Sequence, residues 1–166
     1  MAKNARYSLP FRRRREGKTD FRARLALIKS QVPRAVVRRS LKAVQVQLIS
    51  FNIKGDEIVA SASSADLKKY GWERATCNVP SAYMVGYIAG KRALEKGIES
   101  AVLDIGLRRP TNGNRSFAAL KGMVDAGLEI PHGEDIIPSE ERIRGAHMEA
   151  EQDFDKVMSS IKEAFQ

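Results

Sequence analysis

The sequence predicts an α/β fold in which helices pack on a mixed sheet, with a basic N-terminal arm before it and a C-terminal helical extension after it. Three observations predict this. The segment PRAVVRRSLKAVQVQLISF changes its apolar period from about 3.6 to 2, the mark of strands. The helical run SAYMVGYIAGKRALEKG leads directly into the short apolar run ESAVLDIG, an order that calls for a crossover and a strand parallel to a neighbour. Charge is unevenly spread: residues 1–42 carry a net +12, residues 43–128 a net +3 and residues 129–166 a net −6.

Residues 1–18 have no apolar period and are dominated by charge, so they form an arm with no core of its own, ordered by a partner. Thr19 or Asp20 then caps a short helix to about Ser30, with Phe21, Leu25 and Ile28 at helical spacing and Pro33 beyond its end. Arg34–Ser40 and Ala43–Phe51 form a hairpin about Leu41 and Lys42, and a turn at Lys54–Asp56 leads to a third strand, Glu57–Ser63. A two-residue turn puts Ala35, Val37, Val44, Val46 and Leu48 on a core face. Arg34, Val36, Arg38, Ser40, Gln45 and Gln47 take the other, polar and basic face.

Ser81 should cap the next helix and Gly97 should stop it, with Gly86 and Gly90 allowing close approach to the sheet. Glu99–Gly106 is a buried strand, Arg108–Ser116 a basic turn-rich loop, and SFAALKGMVDAG a second helix ending at Gly127. After it come a proline-containing strap and, from about His147, an amphipathic helix with an acidic face, packed on the domain or on a neighbour. The expected units are therefore the arm at 1–18, the α/β domain at 19–128, and the strap and helix at 129–166.

Bulk properties narrow the function. A chain of 166 residues that is 43 % apolar has room for one ordinary core, and a pI near 9.9 with a net charge of +9 favours a polyanionic partner. One cysteine, Cys77, excludes an internal disulfide and a thiol cluster for zinc. No run reaches the roughly 18 to 20 apolar residues of a membrane span, and charges stand where a secretory signal needs an apolar core. The expectation is a soluble, cytoplasmic protein without a membrane partner.

Gly17-Lys18-Thr19 ends like a phosphate-binding loop, but Arg12 stands where that loop needs its first glycine and no apolar strand precedes it. Asp56, Asp104 and Asp125 offer carboxylates for a metal-dependent nuclease, although single carboxylates at turns and helix ends are commoner as caps. Neither Cys77 nor the separated His132 and His147 suggests catalysis or a metal site. No cofactor is expected.

The stronger signal is basic and aromatic. Arg6, Tyr7, Phe11, Arg12, Arg13, Arg14, Arg15, Gly17, Lys18, Thr19, Arg22 and Arg24 line the arm and first helix. The hairpin adds Arg34, Arg38, Arg39, Ser40, Lys42, Gln45 and Gln47. Arginine forks can hold phosphates in pairs of bonds, and aromatic rings stack on unpaired bases. Lys68, Lys69 and Trp72 in KKYGW form a second candidate RNA patch, with Trp72 equally suited to covering the core. Arg108, Arg109, Thr111, Asn112, Asn114 and Arg115 form a third.

Taken in order, PFRRRREGKTDFRARL, VPRAVVRRS, KKYGW, AVLDIGLRRPTNGNRSFAALKG, DAGLEIPHGED and ERIRG resemble the archaeal-type large-subunit ribosomal protein L-eighteen family, whose eukaryotic member is ribosomal protein L-five. The resemblance runs from about Arg6 to Gly145. It implies a non-catalytic constituent of the large ribosomal subunit that binds 5S rRNA and ties it to 23S rRNA in the central protuberance. Its neighbours would be other large-subunit proteins, including the other 5S rRNA-binding protein. The implied fold is similar to the ribonuclease-H-like sheet of translational proteins without its catalytic carboxylates. RNA contacts implied by the resemblance fall on Arg12–Thr19, on Arg34, Arg38 and Ser40, and on the Arg108–Arg115 loop.

Overall fold

A computed structural model describes residue 4 and residues 6–165; the expected start of the arm at residues 1–3 and 5, and residue 166, lie outside the described residues. The α/β class is as expected. Strands β1 (Arg34–Arg39), β2 (Val44–Ser50), β3 (Glu57–Ser63) and β4 (Val102–Asp104) form one sheet in the order β3-β2-β1-β4. The first three are an antiparallel meander, and β4 runs parallel to β1 after the crossover.

The hairpin has the expected register, with Ala35 opposite Leu48 and Val37 opposite Val46. Its turn is tight because the Ser40 N–H donates to the Ala43 carbonyl at 2.8 Å, while the Ser40 hydroxyl oxygen accepts from the Lys42 and Ala43 N–H groups. Ala35, Val37, Val44, Val46 and Leu48 are buried with Ala60 and Ala62 of β3. They form the floor of the core.

Helices α1 (Arg12–Arg15), α2 (Phe21–Lys29), α3 (Val79–Leu94), α4 (Arg115–Asp125), α5 (Glu140–Arg144) and α6 (Glu151–Ala164) complete the chain. The third begins before the expected Ser81. Asn78 is the cap, its side chain accepting from the Ser81 N–H at 2.8 Å, while Ser81 returns the bond to the Asn78 N–H. This reciprocal pair, with Pro80 in the first turn, fixes the start three residues upstream.

Gly86 and Gly90 do not face the sheet. A Cβ on Gly86 would collide with the Ala119 carbonyl of α4, one on Gly90 would meet Ala126 and Met123, and one on Gly122 of α4 would strike the Tyr83 carbonyl of α3. The two helices thus meet backbone to backbone. Gly122→Ala should destabilise the fold by about 2 kcal/mol, because the colliding groups are main-chain carbonyls and cannot rotate away. Chemical denaturation checks this, and an unchanged midpoint would show that the helices are free to separate.

The C-terminal segment closes the core. Ile143, Ala150, Phe154, Val157, Met158 and Ile161 are buried in the same cluster as the sheet residues, and the Arg74 guanidinium holds Asp153 at 2.6 Å and the Met148 and Glu149 carbonyls. The apolar stripe of α6 therefore packs on the domain itself. Among the described residues no helix is long and apolar enough to cross a membrane.

Candidate nucleic-acid interface

The outer face of the sheet is not uniformly polar. Arg34 is only 4 % exposed and Val36 is buried with it. Arg34 donates to Asp104 at 2.9 Å and to Asp56 at 2.7 Å, and Asp56 also receives Arg24 of α2 at 2.7 Å. Arg34, expected on RNA, is instead the buried hub of an ion network that reaches the surface at Asp56 and Arg24 and staples α2 to the sheet. The same network answers the nuclease alternative: Asp56 and Asp104 face arginines, while Asp125 accepts from the Tyr83 hydroxyl and pairs with Lys121. These carboxylates are neutralised rather than gathered around a cation.

Asp20 caps α2, its carboxylate accepting from the Arg22 and Ala23 N–H groups. Of the expected apolar stripe of this helix, Phe21 is 40 % and Leu25 55 % exposed, whereas Ile28 is half-buried in a pocket with Val32, Pro33 and Phe51. Small and apolar residues on the other side, Ala23, Ala26 and Leu27, face a groove whose opposite wall is Leu103, Ile105 and Leu107. The groove has a volume of about 540 Å³ and is edged by Arg13, Lys18, Arg24, Arg38 and Arg108. Arm, hairpin and loop thus meet at one place.

Chain topology explains that meeting. Because β4 is parallel to β1, the ends of both strands open on the same edge, and the loop after Asp104 returns beside the hairpin. The Arg38 guanidinium lies against Gly106, a residue at φ +65° where a Cβ would sit 2.9 Å from Arg38 Nη1. Arg38 also donates to the Asp104 carbonyl at 3.3 Å. On the opposite side of β1, Arg39 has its pKa lowered by burial first, and then by the positive charges of Arg115 and Arg108. Burial and the like charges of its neighbours both disfavour the charged form of Arg39.

The other expected contacts divide by what their side chains already do. Arg6, Tyr7, Phe11, Arg12, Arg14, Arg15, Arg22, Lys42, Gln45, Lys68, Lys69, Arg109, Thr111 and Asn112 are exposed, Phe11 to 87 %. Gln47 is half-buried. Gly17 takes φ +61°, a conformation that suits glycine at the turn between α1 and α2. Arg13 Nε donates to Thr19 Oγ1 at 2.9 Å, bending the chain there.

Trp72 is corrected to a core residue: it is 1 % exposed, and its indole N–H donates to the Ala75 carbonyl at 3.1 Å. It has no face left for a base. Asn114 caps α4 by accepting from the Ser116 and Phe117 N–H groups, and Arg115 donates to the Cys77 carbonyl at 2.7 Å and to its Sγ at 2.9 Å. The Ser40 hydroxyl serves its own turn. Sequence reasoning missed the groove walls; the only local sign was Ala23 and Ala26, three apart, opposite the apolar stripe.

Comparison with known proteins places this geometry. Residues 5–99 and 96–133 match the family described as ribosomal large subunit proteins 60S L5 and 50S L18. The chain belongs to this family. It is 52 % identical over 148 residues to large ribosomal subunit protein uL18 of Korarchaeum cryptofilum, covering 89 % of this chain and 76 % of that one. The same protein of Haloarcula marismortui is 53 % identical, with 89 % and 79 % covered, and that of Methanothermobacter thermautotrophicus 54 %, with 89 % and 77 %. The family is structural and non-enzymatic, which agrees with carboxylates held in ion pairs.

Proposed function

We propose that the chain is the 5S rRNA-binding protein of its large ribosomal subunit, tying 5S rRNA to 23S rRNA in the central protuberance beside the other 5S rRNA-binding protein. The observation that carries this reading is the convergence of Arg13 and Lys18 from the arm, Arg38 from the hairpin and Arg108 from the loop on one groove. Exposed Tyr7 and Phe11 supply stacking surfaces beside the arm's arginines. The arm at 1–18 serves as the clamp, residues 19–128 as the RNA-binding body, and residues 129–166 as its brace.

Competition tests the choice of RNA. The full chain bound to labelled 5S rRNA should resist unrelated RNA of equal length and duplex DNA up to roughly a hundredfold excess. Equal competition by duplex DNA would instead support a general nucleic-acid-binding protein.

A further inference from the structure

We propose that the groove under α2 holds one unpaired guanosine of the bound RNA, a refinement that rests on the RNA-binding reading above. Phosphate alone does not explain the groove. Its two walls are apolar, Ala23, Ala26 and Leu27 on one side and Leu103, Ile105 and Leu107 on the other, whereas its edge is basic. Apolar walls are of use to the flat face of a base, and a base within a duplex has no free face to offer. A volume of about 540 Å³ lies within the roughly 300 to 1,000 Å³ of pockets that take small ligands.

The hydrogen-bonding groups choose among bases. Asp104 accepts from Arg34 through Oδ2 and from the Gly106 N–H at 2.7 Å through Oδ1, while Asp20 caps α2 through Oδ1 and keeps Oδ2 as an acceptor at the rim. The other charged side chains of the groove offer donors. Arg13, Lys18, Arg38 and Arg108 stand at the edge. A ligand must therefore present acceptors. Guanine carries two, N7 and O6, side by side on one edge, where uracil carries O4 alone and adenine and cytosine turn an amino donor toward the cations of the rim. The sugar-phosphate on either side of the base then falls to the basic edge.

Ala26 is exposed on a helix that contributes nothing to the core, so Ala26→Phe fills the groove without disturbing the fold. Binding of the full-length variant to a 5S rRNA transcript should weaken about tenfold, with the salt dependence unchanged because the phosphate contacts remain. Leu107→Ala, which removes part of the opposite wall, should weaken it in the same direction. In the wild-type complex one unpaired guanine should be shielded at N7 from dimethyl sulfate, and Ala26→Phe should restore its reactivity. Wild-type affinity in both variants, or the absence of any shielded guanine, would overturn the assignment while leaving 5S rRNA recognition intact. Failure of the wild-type chain to prefer 5S rRNA over the unrelated competitor would remove both readings.

Discussion

Asp104→Asn should lower stability by about 3 kcal/mol, although the substitution preserves shape and keeps an oxygen for the Gly106 N–H. The reason lies in Arg34. Its guanidinium is withdrawn from water and held by Asp104 at 2.9 Å and Asp56 at 2.7 Å, with Asp56 shared by Arg24. Removing one carboxylate leaves a buried positive charge only partly compensated, and that desolvation cost is not recovered elsewhere. Adding Arg34→Met should restore part of the loss, because the uncompensated charge goes with it. Urea unfolding of the single and double variants checks both statements. A loss below about 0.5 kcal/mol for the single variant, the range of ordinary surface changes, would show that the network carries no stability.

Deletion of residues 1–18 should have the opposite profile. Affinity for 5S rRNA should fall about a hundredfold or more, because the arm carries Arg6, Arg12 to Arg15 and Lys18. The thermal midpoint should move little, since every described residue of that stretch is exposed. The cap on α2 survives the cut, because Asp20 lies beyond it and its carboxylate accepts from Arg22 and Ala23 within the helix. Melting curves and filter binding on the same preparation separate the two effects. Comparable losses of stability and affinity would mean that the arm is part of the folded body.

Local rules made much of this structure legible. The β1–β2 register follows from a period of two and a two-residue turn, and the third strand was bounded at both ends, Glu57 and Ser63. The position before an apolar period narrowed the cap of α2 to Thr19 or Asp20, and the structure assigns it to Asp20. What sequence did not disclose depended on partners distant along the chain. Arg34 read as a free cation because Asp56 and Asp104, 22 and 70 residues away, could not be placed against it. Gly86 and Gly90 were legible as sites of close approach, but whether a sheet or Ala119 and Met123 of a helix approached them was a tertiary matter. Trp72 offered a ring suited equally to RNA or core, and the carbonyl of Ala75 decided it.

The candidate interface divides the same way. Its charge was visible in the arginine run, the hairpin and the loop, since basic composition needs no fold to be counted. Its shape was not, because the groove exists only where α2, β1 and the end of β4 come together. The small residues that line it are conspicuous only once Phe21 and Leu25 are seen to face outward.

A salt titration of 5S rRNA binding tests the central claim most directly. If arm, hairpin and loop replace condensed counterions at about six to ten phosphates, raising salt fourfold should weaken binding by roughly 10³ to 10⁵, and the logarithmic plot should be linear and steep. The chain lacking residues 1–18 should give a visibly shallower line. A flat response of the intact chain would contradict an interface built on its arginines and lysines.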